Sequence, residues 1–200
     1  MALNLIYPDG ATPLDPDEAN GLIPRHITTH TALNEWEAAN ILTAQQWLYS
    51  RRRTGVLSEA FCVSLHRHMF AETWRWAGSF RRTDKNIGCD WRYVGMKLRD
   101  LFYDTRYWLD HNTFSHDEAA TRFHHRLVAI HCFPNGNGRH ARMMTDALLR
   151  EIGESPFTWG KSDLFTASSV RQQYLTALVA ADKGDLSQLL IFVRQGHTAG

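Results

Sequence analysis

Two hundred residues, 44% of them hydrophobic, suffice for one domain with a substantial core and fall short of two comfortable ones. With 22 basic and 21 acidic residues the net charge is +1, too weak a field to draw nucleic acid or an anionic membrane, so neither is expected as a partner. Three cysteines in no CxxC spacing suit a reducing cytoplasm, no apolar run approaches a membrane span, and the opening residues lack the pattern of a secretion signal.

Residues 1–26 hold four of the six prolines with several Asp and Gly and little periodicity, so an extended arm lying over the surface is expected there. Thr31-Ala32-Leu33-Asn34 then opens a helix that carries Leu33, Trp36, Ile41, Ala44 and Leu48 on its apolar side and runs to about Tyr49. Glu35 and Glu37 fall early in it, where the helix dipole favours anions. Arg51-Arg52-Arg53-Thr54-Gly55 reads as a helix C-terminus and turn rather than a nucleic-acid patch. Phe61, Leu65, Met69 and Trp74 mark a helix between Ser58 and Thr73. His66 and His68, two apart, point to different faces of it and make a poor metal pair.

Between Trp74 and Val94, Gly78 and Gly88 flank turns, and Ile87, Cys89, Trp91 and Tyr93 alternate as in a short strand, which predicts a two-stranded excursion packed on the helices. Residues 96–110 form an amphipathic helix. Ser115, with Glu118 three residues on, is a capping box for a helix carrying Ala120, Phe123, Leu127 and Ile130 and ending at His131, with Pro134 as its stop. Asn135-Gly136-Asn137-Gly138 suits a turn with positive φ angles and bare backbone N–H groups, after which Met144, Leu148 and Ile152 mark another helix. Arg139 and Arg142 share a face at the positive pole of that helix, where cations are disfavoured, so an anion is expected beside them. Bare amides, a helix N-terminus and guanidinium forks describe a phosphate cradle, with His131 placed to take a proton from an attacking nucleophile.

The same spacing also fits a plain connecting loop whose arginines are solvated or paired with Glu151 and Asp146. Neither Gly-Lys-Ser/Thr nor GxGxxG occurs, and His124, His125, His131 and His140 lack zinc-ligand spacing. Trp159, in the loop from Gly153 to Gly160, covers either the nucleotide or only the core. Thr166 or Ser168 caps a helix ending at Lys183-Gly184, Asp185 opens the last one, and the tail 195–200 is expected to be loose. The whole reads as one all-α domain over 27–194, of six to eight helices with one small β-hairpin.

His131-x-Phe133-x-Asn135-Gly136-Asn137-Gly138-Arg139-x-x-Arg142 resembles the signature of the Fic family, and small members of it also share Thr12-Pro13-Leu14-Asp15 and Leu33-Asn34-Glu35-Trp36-Glu37, so the likeness covers nearly the whole chain. The resemblance implies a Fic-type helical bundle and transfer of AMP from ATP to a Ser, Thr or Tyr hydroxyl of an unidentified target protein, with self-modification open. His131 would be the general base and Phe133 a buried anchor. Gly136, Asn137 and Gly138 would wrap the α- and β-phosphates, Arg139 would contact the phosphate chain, and Arg142 would hold the outermost phosphate. Most active members carry Asp or Glu at the place of Asn135, where a carboxylate helps bind Mg²⁺ (or Mn²⁺). An amide oxygen can ligate that ion without adding charge, so weaker metal binding is implied.

Many Fic proteins also carry an inhibitory Ser/Thr-x-x-x-Glu-Gly/Asn element. Thr31 to Glu35 matches its first part and Trp36 departs from it, which makes 27–50 an expected inhibitory helix with Glu35 paired to Arg142. Trp76-Ala77-Gly78-x-Phe80-Arg81 is similar to the lead-in of the Fic flap, with Asn86, Ile87 and Gly88 as its target-binding part, clamping a peptide by strand addition. A Fic-type kinase or other nucleotidyl- or phosphotransferase, and a non-catalytic nucleotide-binding module favoured by Asn135, are the alternatives.

Overall fold

The computed structural model describes residues 12–161 and 168–196. Among them run α1 Pro16–Ala19, α2 His30–Tyr49, α3 Glu59–Phe70, α4 Val94–Asp110, α5 His116–Ile130, α6 Asn137–Glu151, α7 Ser168–Asp182 and α8 Ser187–Arg194. Side-chain oxygens accept the orphan amides at three of the starts: Thr29 takes Ala32 N, Ser58 takes Phe61 N and Ser115 takes Glu118 N. The first cap therefore lies two residues ahead of the expected Thr31. At α5 the box is only half made, because the Glu118 carboxylate turns to Arg122 one helical turn on.

α5 ends at His131 as expected, but the stop is His131 itself rather than Pro134: it takes a left-handed conformation, φ 56°, and its N–H bonds back to the Leu127 carbonyl. α6 begins earlier than the sequence suggests. Only Gly136, φ 78°, turns left-handed, while Asn137 and Gly138 already belong to the helix.

α2 packs on α3, α4 on α5 and α5 on α6, burying Leu48, Leu65, Met69, Leu98, Leu101, Phe123, Phe133, Met144 and Leu148 in one core. α7 and α8 close a second cluster with Ala120, Leu149, Phe157, Tyr174, Leu189 and Phe192. No helix among the described residues is long and apolar enough to cross a membrane. Thr166, one of the two expected caps for α7, lies outside the described residues. So does most of the tail; of its described part, the Gln195 carbonyl accepts from Thr158 Oγ1 at 2.9 Å.

Two expectations need correction. The β-hairpin is absent among the described residues: 80–90 is an irregular crossing, and Trp91–Tyr93 is a short 3₁₀ turn leading into α4. The carbonyls that would serve a second strand are taken by one buried side chain, because the Arg81 guanidinium donates to the carbonyls of Thr83, Cys89 and His131. The arm is also more than a surface strap. Asp15 and Glu18 form a capping box around Pro16, giving α1, and Leu22 pairs with Trp74 by a single antiparallel bridge.

Candidate active site

The α5–α6 junction carries the predicted site. Arg81 sits where the last carbonyls of α5 gather negative charge; its Nε donates to the His131 carbonyl at 2.6 Å and its backbone N–H to the Cys132 carbonyl at 3.0 Å. His131 is therefore held from beneath by a cation that sequence reading placed only in a flap. Gly88 lies against the same imidazole. A Cβ there, at φ +114°, would come within 2.8 Å of the His131 Cβ and 2.9 Å of Arg81 Nη2, so Gly88 permits close approach, while Asn86 and Ile87 stand exposed at the rim.

Phe133 is fully buried, stacked on His66 with centroids 3.7 Å apart. His66 accepts the Gly78 N–H on Nδ1, which leaves the proton on Nε2 to donate to the Asn135 carbonyl at 3.1 Å. His66, whose spacing to His68 made it a poor metal ligand, instead fastens the turn from inside. The Asn137 side chain closes it, accepting from Phe133 N at 2.8 Å and donating to Phe133 O at 2.7 Å. What Asn137 can offer an anion is thus its backbone N–H. At Gly136 an added Cβ would meet Phe70 Cζ at 2.5 Å; at Gly138 it would meet nothing within 4 Å, so the space over the first turn of α6 is open. That turn leaves amides without intrahelical acceptors, facing the open side.

Both arginines are inside the molecule rather than splayed into solvent. Arg139 stacks its guanidinium over Phe70, 4.8 Å from the ring centroid, and Nη1 donates to Glu37 Oε2 at 2.5 Å. Arg142, one helical turn on, lies over Tyr174 and is drawn toward Asp146, as the loop reading allowed; burial lowers its guanidinium pKa. Glu151, the other partner weighed for these arginines, instead accepts from Gly55 N and Val56 N. Trp159 binds Asp146 through Nε1, which places it on the second core cluster.

The carboxylate that meets the site is Glu37, not Glu35, and its partner is Arg139, not Arg142. Glu35 points outward on α2, whereas Glu37 is 5% exposed and also accepts Trp74 Nε1 at 2.6 Å. The signal was present: the buried row of α2 is Leu33, Glu37, Asn40, Ile41, Ala44 and Leu48, so Glu37 stands one turn from Leu33 and one from Ile41. Trp36, assigned to the apolar side, is exposed instead.

Residues 12–19 lie across the junction. Thr12 Oγ1 is 3.1 Å from His131 Nε2, and the Asn135 Nδ2 donates to the Thr12 carbonyl at 3.1 Å. The strap is tied to the 83–85 segment, where Thr83 Oγ1 and Lys85 Nζ both donate to Asp15 Oδ2 at 2.7 Å and Lys85 also reaches Glu18 at 2.6 Å.

Burial, with Arg81 and Lys85 nearby, depresses the His131 pKa to about 4, so the imidazole is neutral at pH 7. The Val128 carbonyl acts on the ring and offsets part of that fall, short of full hydrogen-bond geometry. A proton on Nδ1 leaves Nε2 to accept from a hydroxyl. Burial likewise lowers His124 to about 3 and His140 to about 4, and holds His66 well below the ordinary imidazole range. All four bind protons less readily folded than unfolded, so their stabilisation is complete above pH 6.5 and is lost as pH falls toward 4. Asp146, raised to about 7 by burial, acts in the opposite direction over the same range. Four histidines outweigh one carboxylate. Thermal melts should show stability falling from pH 7 to pH 5, by on the order of 1 kcal/mol per pH unit for each histidine; a flat or rising Tm over that interval would mean that these rings are solvated.

The side chain expected to meet a metal is Asn135. Its Oδ1 already accepts from Gly136 N at 2.6 Å and from Arg139 Nη2 at 3.4 Å, and no group of three His, Cys, Asp or Glu gathers among the described residues. One neutral, committed oxygen is a poor fit to a hard divalent cation.

A family model described as Fic/DOC matches residues 56–149. The probable protein adenylyltransferase y4lH of Sinorhizobium fredii is 30% identical over 150 residues, covering 70% of this chain and 73% of the relative. The protein adenylyltransferase fic-1 of Caenorhabditis elegans is 30% identical over 130 residues, and here the match covers 62% of this chain but 23% of the relative. Thus the chain spans about a quarter of the length of the animal relatives it matches. Among solved structures, the BepC protein of Bartonella tribocorum with bound AMPPNP superposes with TM-score 0.68 at 18% identity over 90% of this chain and 97% of that one.

Proposed function

From a chain that belongs to the Fic/DOC family, we propose transfer of AMP from ATP to a hydroxyl of a protein. The observation that carries this reading is the hydroxyl of Thr12 at 3.1 Å from a neutral His131 Nε2, directly ahead of an anion-attracting helix start. A hydroxyl there would lose its proton to Nε2 as its oxygen attacks the α-phosphorus, and pyrophosphate would leave. Amides at the start of α6 and the Arg139 guanidinium would bear the charge that develops on the phosphate oxygens, with Arg142 behind them. The relatives named as adenylyltransferases and the AMPPNP-bound neighbour support ATP as the donor. Three free cysteines support a reducing, cytoplasmic setting.

Mg²⁺ or Mn²⁺, when bound, would neutralise phosphate charge. Among the described residues the donors do not form a site for it, so no step is assigned to the ion.

Glu37 gives this site a brake. Its carboxylate occupies the Arg139 fork that a phosphate would use, in a buried pair that costs about 3–5 kcal/mol to leave half made. ATP can bind productively only once Arg139 is released.

Parallel incubations with α-labelled and γ-labelled ATP, using protein freed of the brake, test the reaction. Label from the α position should reach protein and label from the γ position should not. The reverse result would make this a Fic-type kinase, and binding without transfer of either label would leave the non-catalytic module favoured by Asn135.

A further inference from the structure

We propose that Thr12 is itself an acceptor: the arm presents its own hydroxyl to His131, and the chain adenylylates itself there in cis. This rests on the adenylyl-transfer reading and adds to it the residue modified. Thr12 is 7% exposed although it lies in a proline-rich arm without apolar periodicity, so its burial comes from the seat it occupies. The seat has two polar contacts to the catalytic segment, Oγ1 to His131 Nε2 at 3.1 Å and the carbonyl to Asn135 Nδ2 at 3.1 Å. The second fixes the backbone, and so the direction from which the hydroxyl arrives.

The rest of the arm is anchored where a target segment would be clamped. Asp15 and Glu18 converge on Lys85, whose side chain is 3% exposed, Thr83 adds a second donor to Asp15, and Trp76 Nε1 donates to the Glu18 carbonyl at 3.0 Å. The Lys85 ammonium and the Thr83 hydroxyl hold the Asp15 carboxyl below the usual carboxylate range, so this clasp stays charged well into acid. An acceptor that is already placed loses little entropy on reaching the transition state, which is a large share of rate in such transfers.

The step balances with ATP as the proposed donor. The Thr12 oxygen forms a bond to the α-phosphorus of ATP, the bond from that phosphorus to the oxygen bridging to the β-phosphate breaks, and pyrophosphate leaves with the electron pair. The hydroxyl proton passes to His131 Nε2 and on to the leaving group. A phosphodiester on Thr12 then fills the seat, and an external target must displace the arm.

The test uses the full chain as Glu37→Gly with α-labelled ATP, read by peptide mass spectrometry. AMP should appear on Thr12 with a first-order rate that does not change on dilution. Thr12→Val, which keeps the shape and the backbone contact to Asn135, should remove that label by more than about tenfold, and Thr12→Ser should retain it. Label found on other hydroxyls or on added lysate proteins, with Thr12 unmodified and Thr12→Val unchanged, would overturn the assignment and leave adenylyl transfer standing. Labelling that slows on dilution would overturn transfer in cis. Absence of label on any protein would overturn both.

Discussion

Glu37→Gly should raise adenylyl transfer by about tenfold to a hundredfold over the unaltered chain, the equivalent of releasing roughly 1.4–2.7 kcal/mol of competition for the Arg139 fork. The physical basis is a direct exchange of anions. Glu37 Oε2 holds Arg139 Nη1 at 2.5 Å, with the two side chains 6% and 16% exposed, so a phosphate oxygen seeking the guanidinium must displace a carboxylate screened from water. The substitution has a structural cost. Trp74 Nε1 loses its acceptor, and glycine inside α2 weakens the helix by about 1 kcal/mol, so Tm should fall while activity rises. Glu37→Gln separates the two effects, because an amide oxygen still accepts from Trp74 but carries no charge. Its activity should fall between the two, and its Tm should lie below the starting value, because Arg139 loses its charged partner, but above that of Glu37→Gly. Glu35→Gly, on the exposed face of the same helix, should leave activity unchanged. Transfer assayed with labelled ATP checks all three, and equal rates in Glu37→Gly and the unaltered chain would remove the brake from the mechanism.

His131→Ala in the Glu37→Gly background should lower transfer by about 10²–10⁴-fold, the usual contribution of a positioned general base. ATP binding should hold to within a few-fold, because the phosphate contacts assigned to Arg139 and the start of α6 do not pass through the imidazole. The opposite pattern, weak ATP binding with an unchanged rate at saturation, would make His131 a binding residue. The pH profile gives an independent reading. With its pKa near 4, the ring is already a free base at pH 6, so transfer should not fall with a midpoint near 6.5 as the medium is acidified. Titration of an ordinary solvated histidine would produce such a fall.

The helices were legible because apolar spacing and caps are local properties. Ser115 accepts the amide expected of it, the helix read from Ser58 begins there, and the buried faces of α3 to α6 follow the helical period. The junction was legible for a related reason: a histidine, a Gly/Asn run and two arginines at helical spacing bring their own geometry. What sequence reading misplaced depends on which surface meets which. Glu35 was preferred to Glu37 on a partial motif, although the row Leu33, Glu37, Ile41 already marked Glu37 as facing inward. Alternation over 87–93 suggested a strand, but Arg81, buried at the end of α5, takes the carbonyls that a ladder would need. His66 gave no sign of its task, since its two partners, Gly78 and Asn135, lie 12 and 69 residues away. The arm is the extreme case. Nothing periodic marks residues 12–15, and only their tertiary contacts with Asn135, Lys85 and His131 reveal where they sit.

The brake, the base and the seated threonine share one premise: the turn from His131 to Arg142 receives the phosphates of ATP once Glu37 is withdrawn. A crystal structure of the Glu37→Gly protein with AMPPNP is the most direct check. The β- and γ-phosphates should lie over the first turn of α6 against Arg139, with the α-phosphorus facing the place between His131 Nε2 and the Thr12 hydroxyl. A nucleotide bound elsewhere, or Arg139 still turned away from a phosphate with Glu37 gone, would contradict the account.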